Sequence, residues 1–480
     1  MHVENTHPMN TAIALDLGST SIKAGLLDQH GSLVNIVSQP APAIHADGGR
    51  YESDALAYAT LADQVLATCL ANINQQQTNA LPPLGLCSQR SSFVIWEQAS
   101  GKPVTSLISW QDTRGEQSCI ALQAQEPLIT KLTGLRLTPY YFASKLRVVL
   151  QENPEWRNKL QRGELMLGTL DTFLIWRWTG GKQHLTDVSM AARTLLMDIH
   201  TQQWSPVLCE LFDIPLSILP AIKPSSALSL PLSNGLTLQA AVADQSAALL
   251  ASVGEARDIA LVNLGTGGFV IRYLPESREV QTSKHEPSDG YLRTLVYQDH
   301  TQPAHIAIEG TLNSIAAALT PYPVCDCKLQ DFAVQPHNYC IAEPSGIGAP
   351  YFRKDIGLTF SQTVEQLSQQ QIGCLLLEAI IFRVVRIVED FQRIAPIKSV
   401  YLSGGLSELC SLQQGLAQCL KCEVFRQQQH DASLQGAAML AAGIKQVQQQ
   451  GGEKIQVESR NQALSDKYLR WKDWLDGLLR

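Results

Sequence analysis

The residues Ala14-Leu15-Asp16-Leu17-Gly18-Ser19-Thr20-Ser21-Ile22 are echoed by Leu261-Val262-Asn263-Leu264-Gly265-Thr266-Gly267-Gly268-Phe269. In both, apolar positions around one acid or amide run into Leu-Gly, tiny residues follow, and an apolar run resumes. The two glycines stand about half a chain length apart, whereas a solenoid repeats every 20 to 50 residues or so. Two related domains are therefore expected, and 480 residues exceed what one hydrophobic core organises. The seam is placed near Ser252 to Arg257. It assigns 1–253 to a first domain, 254–450 to a second and 451–480 to a C-terminal docking helix.

Local patterns give the fold class. Ile13 to Asp16 and Ile22 to Leu27 read as strands joined by a turn at Gly18-Ser19-Thr20-Ser21. Asp54 to Leu70 is helical, whereas Leu84 to Cys87 and Phe93 to Glu97 are strand-like, an alternation that predicts an α/β architecture. Leu219 to Ser233, rich in Pro and Ser, predicts an extended connection, and Gln448 to Gly452 a helix stop. Leu464, Tyr468, Trp471, Trp474, Leu475 and Leu478 recur at helical spacing, so the segment to Leu479 predicts an amphipathic helix. Cys374 to Phe391 is apolar but carries Glu378, Arg383, Arg386 and Glu389, which predicts a buried helix and no membrane span.

Charge and cysteine usage narrow the function classes. A net charge of −7 leaves no basic surplus for a nucleic-acid backbone, although a nucleotide needs only local amides and one or two cations. The 11 cysteines follow no framework spacing; Cys325, Cys327 and Cys340 lack zinc-ligand spacing and are expected to be free thiols. Met1 to Asn10 has neither a basic patch nor an apolar core, so no signal peptide is expected and the cytoplasm is the expected compartment.

A turn of glycines and hydroxyl residues after a buried strand lets backbone N–H groups converge on a phosphate. Gly18-Ser19-Thr20 and Gly265-Thr266-Gly267 are such turns, one per half, and together they suit different phosphates of one nucleotide. Asp16, at the end of the first strand, suits Mg²⁺ directly or through water, and Lys23 is either within reach of a phosphate or an exposed strand lysine. Ala241-Val242-Ala243 leads into Asp244 and then a small-residue helix, which places a carboxylate at a helix start. Phosphoryl transfer to an alcohol needs a base for its proton, and Asp244 is the candidate.

These residues resemble motifs of the FGGY carbohydrate kinase family from Asp16 to Gly436. Besides the two turns, Trp110-x-Asp112-x-Arg114, Thr186-Asp187 with Ala192-Arg193-Thr194, Ala243-Asp244-Gln245, the GIGAPY run Gly346 to Tyr351, Gly404-Gly405 and Gly436-Ala437-Ala438 follow the family order. The resemblance implies an α/β fold of two ribonuclease-H-like (actin-like ATPase) domains with ATP in an interdomain cleft. It implies ATP-dependent phosphorylation of a hydroxyl of a small sugar or polyol, with Mg²⁺ and with Asp244 as general base. Gly404 and Gly405 would lie under adenine, and Gly310 joins the nucleotide set. Arg90, Trp110, Tyr141 or Tyr140, and Phe269 match residues lining the acceptor pocket. The resemblance allows a homodimer and implies no nucleic-acid or membrane partner.

Three departures stand out. Ser91 occupies the position of a family glutamate that grips acceptor hydroxyls, removing charge-assisted bonds worth about 1.5–3 kcal/mol each. Poor activity on glycerol and a larger or differently oxidised acceptor are expected. Ser403 and Leu406-Ser407-Glu408 depart around the Gly-Gly pair, so nucleotide preference is expected to differ, and Thr320 to Asn338 is short and lacks a family tryptophan. These departures motivate one alternative, a catalytically reduced sensor of nucleotide and sugar. A chaperone-like ATPase would have no use for Arg90, Trp110 and Asp244 together.

Overall fold

The computed structural model describes residues 11–71, 81–275, 290–427, 431–445, 452–457 and 461–480. Met1 to Asn10 and most of the helix stop expected at Gln448 to Gly452 lie outside them. The chain forms two compact units: Met1–Gly254 with Arg293–Ile306 and Asp431–Gln448, and Glu255–Leu292 with Ala307–His430 and Gln449–Arg480.

In the first unit, β1 (Ala12–Leu17), β2 (Ser21–Leu27) and β3 (Leu33–Pro40) form an antiparallel meander. β4 (Leu84–Ser88) runs parallel to β1, and β5 (Thr237–Ala243) runs parallel to β4. The spatial order is therefore β5-β4-β1-β2-β3. Ser226–Pro231, within the expected extended connection, pairs antiparallel with β5 as an edge. A second sheet aligns His45–Asp47, Arg50–Ser53, Leu107–Ile108, Phe93–Glu97 and Leu165–Thr169 in that order. The helices of this unit include α1 (Ala55–Ala71), α2 (Phe142–Glu152) and α3 (Asp244–Val253).

The second unit repeats the plan. β6 (Ile259–Leu264) and β7 (Gly268–Tyr273) form a hairpin, and β7 pairs antiparallel with β8 (His305–Leu312) from Ala307 onward. β9 (Ser399–Ser403) is parallel to β6, and β10 (Glu423–Arg426) is parallel to β9. The order β8-β7-β6-β9-β10 is again third, second, first, fourth, fifth, so the sequence echo marks the same hairpin of the same topology. α4 (Gln369–Ile394) joins third strand to fourth, as α1 does in the first unit. It starts on a reciprocal cap in which Ser368 accepts from the Gln371 N–H and Gln371 Oε1 from the Ser368 N–H.

The polar residues inside α4 have dedicated partners. Arg383 donates to Glu343 at 2.7 Å and to the Ala349 carbonyl at 2.7 Å. Glu343 in turn accepts from the N–H groups of Asn313 and Gly348, both at 2.8 Å, so the GIGAPY run is held by a buried ion pair. Glu378 pairs with Lys467 of α6 (Gln462–Leu479), whose Leu464, Tyr468, Trp471 and Leu475 enter the core of this unit. The tail is thus an integral part of the second unit.

The division differs from the expected 254–450 domain in two places. Arg293–Ile306 and Asp431–Gln448 belong to the first unit, where the Arg293 N–H donates to the Gly134 carbonyl at 2.8 Å. α5 (Ala432–Ala442) is mostly small and apolar, is buried from Leu434 to Ala442, and lies against β1, β4 and α3. A Cβ on Gly436 would sit 1.9 Å from the Ala247 carbonyl oxygen, and one on Gly85 would sit 2.1 Å from that of Ala437. Glycine is required at both because backbone meets backbone there. Gly436→Ala should therefore destabilise the protein by about 1–3 kcal/mol in urea unfolding. Gly477→Ala, in open space on α6, should be neutral or stabilising, and equal midpoints for the two variants would contradict this packing.

Candidate active site

The β1–β2 turn is tight. The Gly18 N–H donates to the Ser21 carbonyl at 3.1 Å, and a Cβ on Gly18 would approach that oxygen to 2.8 Å. Ser19 is half-buried and Thr20 exposed at its tip, where the Thr20 carbonyl accepts from the Ala41 N–H at 3.0 Å. Beside the turn, Asp16 accepts from the Ser433 hydroxyl of α5 at 2.5 Å, while its Oδ1 is buried without a hydrogen-bond partner. Desolvation raises its pKa to about 6 against the Ser433 hydrogen bond, and the charge of Asp244 adds to the rise. Lys23 is committed to Asp431, 2.7 Å away at the start of α5.

Asp244 opens α3 where β5 ends, so a strand and a helix fix its backbone. It accepts from the Gln245 N–H at 2.6 Å, and Arg90 Nε lies 3.9 Å from its Oδ1. Desolvation pushes its pKa up, while Arg90, the Gln245 N–H and Arg193 pull it down. The Arg90 guanidinium also donates to Gln245 Oε1. The Ala243 N–H, next to Asp244, donates to Ser189 Oγ at 2.8 Å, and that hydroxyl donates to Asp187 at 2.8 Å. Asp187 is a buried N-cap that also accepts from Ser225 Oγ at 2.6 Å. The Thr186-Asp187 block is thus a bracket for Asp244.

Arg90 belongs to a turn whose next residue, Ser91, has φ 63°, and the Ser91 hydroxyl donates inward to the Arg193 carbonyl at 3.0 Å. Trp110 is 40% exposed, and its N–H donates to Ser92 Oγ at 2.9 Å. Asp112 and Arg114 turn away from the wall: Asp112 accepts from Arg114 and from the Tyr51 N–H at 2.8 Å. Of the two tyrosines, Tyr140 is 38% exposed and Tyr141 only 1%, with the Arg193 guanidinium 5.5 Å over the Tyr141 ring. Tyr141 supports Arg193 from below, which leaves Tyr140 as the tyrosine able to face a ligand.

In the second unit the Gly265 N–H donates to the Gly267 carbonyl at 2.8 Å, leaving Thr266 and Gly267 exposed at the tip, and Phe269 follows half-buried in β7. Gly404 has φ 87°, and a Cβ there would meet the Leu264 carbonyl at 2.5 Å, whereas Gly405 faces open space. Gly404 is therefore required by the β6 backbone itself, and Leu406 after the pair packs toward the core. Gly310 is buried in β8, where a Cβ would meet Ile387 of α4 at 2.6 Å. Strand–helix packing accounts for it without a nucleotide. Cys327 and Cys340 bond to the Gln370 and Leu375 carbonyls at 3.8 and 3.0 Å, and Cys325 is exposed. Among the described residues no group of three or more His, Cys, Asp or Glu is arranged to hold a metal, and no helix is long and apolar enough to cross a membrane.

The first unit thus gathers Asp16, Asp244, Arg90, Trp110 and Tyr140, and the second carries Gly265 to Gly267, Phe269 and the Gly404 pair. Sequence reasoning left four contributors without a role: Arg193, Ser433, Asp187 and Lys145. Lys145 on α2 is fully buried and donates to the carbonyls of Ser91 at 2.9 Å and Ser109 at 2.6 Å. Desolvation lowers its pKa to about 7, with Asp112 opposing and Arg114 reinforcing. Lys145 stands four residues after Tyr141 in a segment otherwise read for its tyrosines, and that spacing was the available signal.

Comparison with known proteins places these residues in a family. The model for the N-terminal domain of the FGGY family of carbohydrate kinases matches residues 11–242, and that for the C-terminal domain matches 260–443. A glycerol kinase of Corynebacterium efficiens is 30% identical over 459 residues, covering 90% of this chain and 89% of its own. One from Saccharolobus islandicus is 31% identical, covering 91% and 88%. Among solved structures, Plasmodium falciparum glycerol kinase with ADP superposes with a TM-score of 0.86 at 22% identity, covering 98% of each chain, and so shares the fold.

The electrostatics of Asp244 lead to a test. Arg193 holds the Asp244 pKa down, so Arg193→Gln should raise it, and a reaction needing ionised Asp244 should show its acid limb at higher pH. An unmoved limb in a folded variant would separate Arg193 from Asp244.

Proposed function

The chain belongs to the FGGY family of carbohydrate kinases, and from that premise we propose that Asp244 is the general base of its phosphoryl transfer. The reaction is ATP-dependent phosphorylation of a hydroxyl of a small sugar or polyol. The observation that carries the assignment is the setting of Asp244, a part-exposed carboxylate fixed between strand and helix with Arg90 beside it. Arg90, Trp110 and Tyr140 of the first unit bind and orient the acceptor. As the acceptor oxygen bonds to the γ-phosphorus, its proton passes to Asp244 and the bond to the bridging oxygen of ADP breaks. Desolvation raises the Asp244 pKa, and Arg90, the Gln245 N–H and Arg193 oppose that rise and favour the ionised form.

The Gly18–Thr20 and Gly265–Gly267 turns offer backbone N–H groups to the phosphates, and the Gly404–Gly405 turn lies at the adenine. Lys23 acts through Asp431, by holding α5 and thereby Ser433 against Asp16. Mg²⁺ is the ion assigned to Asp16, whose buried, unpartnered Oδ1 and raised pKa suit a cation. Such an ion supplies charge neutralisation for the phosphates. The 11 cysteines are free, in keeping with a reducing compartment, and the cytoplasm is the location assigned. The sensor alternative finds no support among the relatives.

The acceptor is inferred to be other than glycerol. The side chain at position 91 is a serine whose hydroxyl is used on Arg193, so no carboxylate grips the acceptor from there. In a coupled ADP-release screen of triols, tetritols, pentoses and ketoses, another compound should exceed glycerol in kcat/KM. Glycerol ranking first would overturn this. With the best acceptor, Asp244→Asn should lower kcat by about 100- to 10,000-fold while calorimetry still records ATP binding. Retention of more than about a tenth of the activity would exclude Asp244 as base.

A further inference from the structure

We propose that Lys145 is a positioning residue that clamps the turns carrying Arg90 and Trp110 into one acceptor-binding wall. The inference rests on the reading above that Arg90 and Trp110 meet the acceptor. Lys145 projects from α2, has no exposed surface, and donates to two main-chain carbonyls in separate turns. The first, Ser91, directly follows Arg90; the second, Ser109, directly precedes Trp110. A single ammonium therefore sets the distance between the two turns.

For folding alone, an apolar side chain of similar volume would fill this space without the desolvation cost of a buried ammonium. The charged groups acting on it do not form a contact pair with it: Asp112 is bonded to Arg114 and the Tyr51 N–H, and Arg114 repels. What the lysine adds while protonated is charge-assisted hydrogen bonding to the two carbonyls, stronger and more directional than a neutral donor gives. Ser91 needs that hold because its backbone is left-handed, a conformation a serine seldom adopts. A weaker uncharged link runs alongside: the Trp110 N–H donates to Ser92 Oγ at 2.9 Å, and Ser92 Oγ donates to Gln89 Oε1 at 2.8 Å. It joins the same two turns but does not reach the Ser91 carbonyl, and the Ser91 hydroxyl is used on Arg193 instead. Where a carboxylate at position 91 would grip the acceptor directly, this chain holds position 91 from behind and leaves contact to Arg90, Trp110 and Tyr140.

The test compares the full-length Lys145→Met and Lys145→Gln variants with the parent by hydrogen exchange and by kinetics on the best acceptor of a panel of glycerol, erythritol, xylitol, D-xylulose and D-ribulose. In Lys145→Met, amides of 88–93 and 109–112 should exchange at least about 10-fold faster, with β1 and β5 unchanged, since a charge-assisted bond is lost at each turn. Acceptor KM should rise about 10-fold or more while the KM for ATP stays within about 2-fold. Lys145→Gln, which keeps an uncharged donor, should fall between. It also serves as the test variant if Lys145→Met does not fold. Unchanged exchange in both turns, or an unchanged acceptor KM in a folded variant, overturns the clamp. Arg90→Ala separates the two levels: if it raises acceptor KM and the Lys145 variants do not, only the clamp fails. If it leaves acceptor KM unchanged, the acceptor wall itself is misassigned and the clamp falls with it.

Discussion

Keeping two carboxylates, Asp16 and Asp244, charged and close enough to feel one another is the constraint on which the first unit is organised. Each is raised in pKa by desolvation, and the charge of Asp244 raises Asp16 further. Unopposed, such a pair would take up a proton and lose negative charge. The protein opposes it with the Ser433 hydroxyl on one acid, and with the Gln245 N–H, Arg90 and Arg193 on the other. These compensating groups come from four separate stretches of chain, and bringing them together is what the packing of α5 and the Asp187 bracket accomplish.

The two units share a strand order and differ in what they place at the strand ends. β1 carries Asp16 one residue before its end and β5 runs into Asp244, whereas β6 carries Asn263 at the matching place and β9 ends at Ser403 before a glycine pair. One unit thus concentrates charge, and the other presents turns of little side-chain bulk. A duplicated scaffold can diverge in this way because strand order is set by buried apolar residues, while chemistry sits at the C-terminal ends of strands, where packing makes fewer demands.

The residues proposed for the acceptor show the same separation of contact from support. Trp110 and Tyr140 are exposed and Arg90 is half-buried, while Lys145, Tyr141, Arg193 and the Asp112–Arg114 pair are buried. Rigid placement of a few exposed groups by a buried polar layer suits a site that must orient a hydroxyl.

From its sequence alone the chain was legible wherever cause and effect lie close together along it. The echoed turns, the strand that leads into Asp244, the capped helix from Gln369 and the apolar spacing of the last helix follow from local sterics and hydropathy. What only the tertiary structure decided are meetings of residues hundreds of positions apart. Asp431–Gln448 returns to the first unit because Gly436 admits the Ala247 backbone and Gly85 admits that of Ala437, a match no local pattern announces. Ser433 bonding Asp16, Tyr140 rather than Tyr141 at the surface, and a lysine buried on two carbonyls are likewise invisible in advance. Composition treats a lysine as exposed until the fold supplies acceptors, and a glycine as flexible until another backbone occupies its missing Cβ.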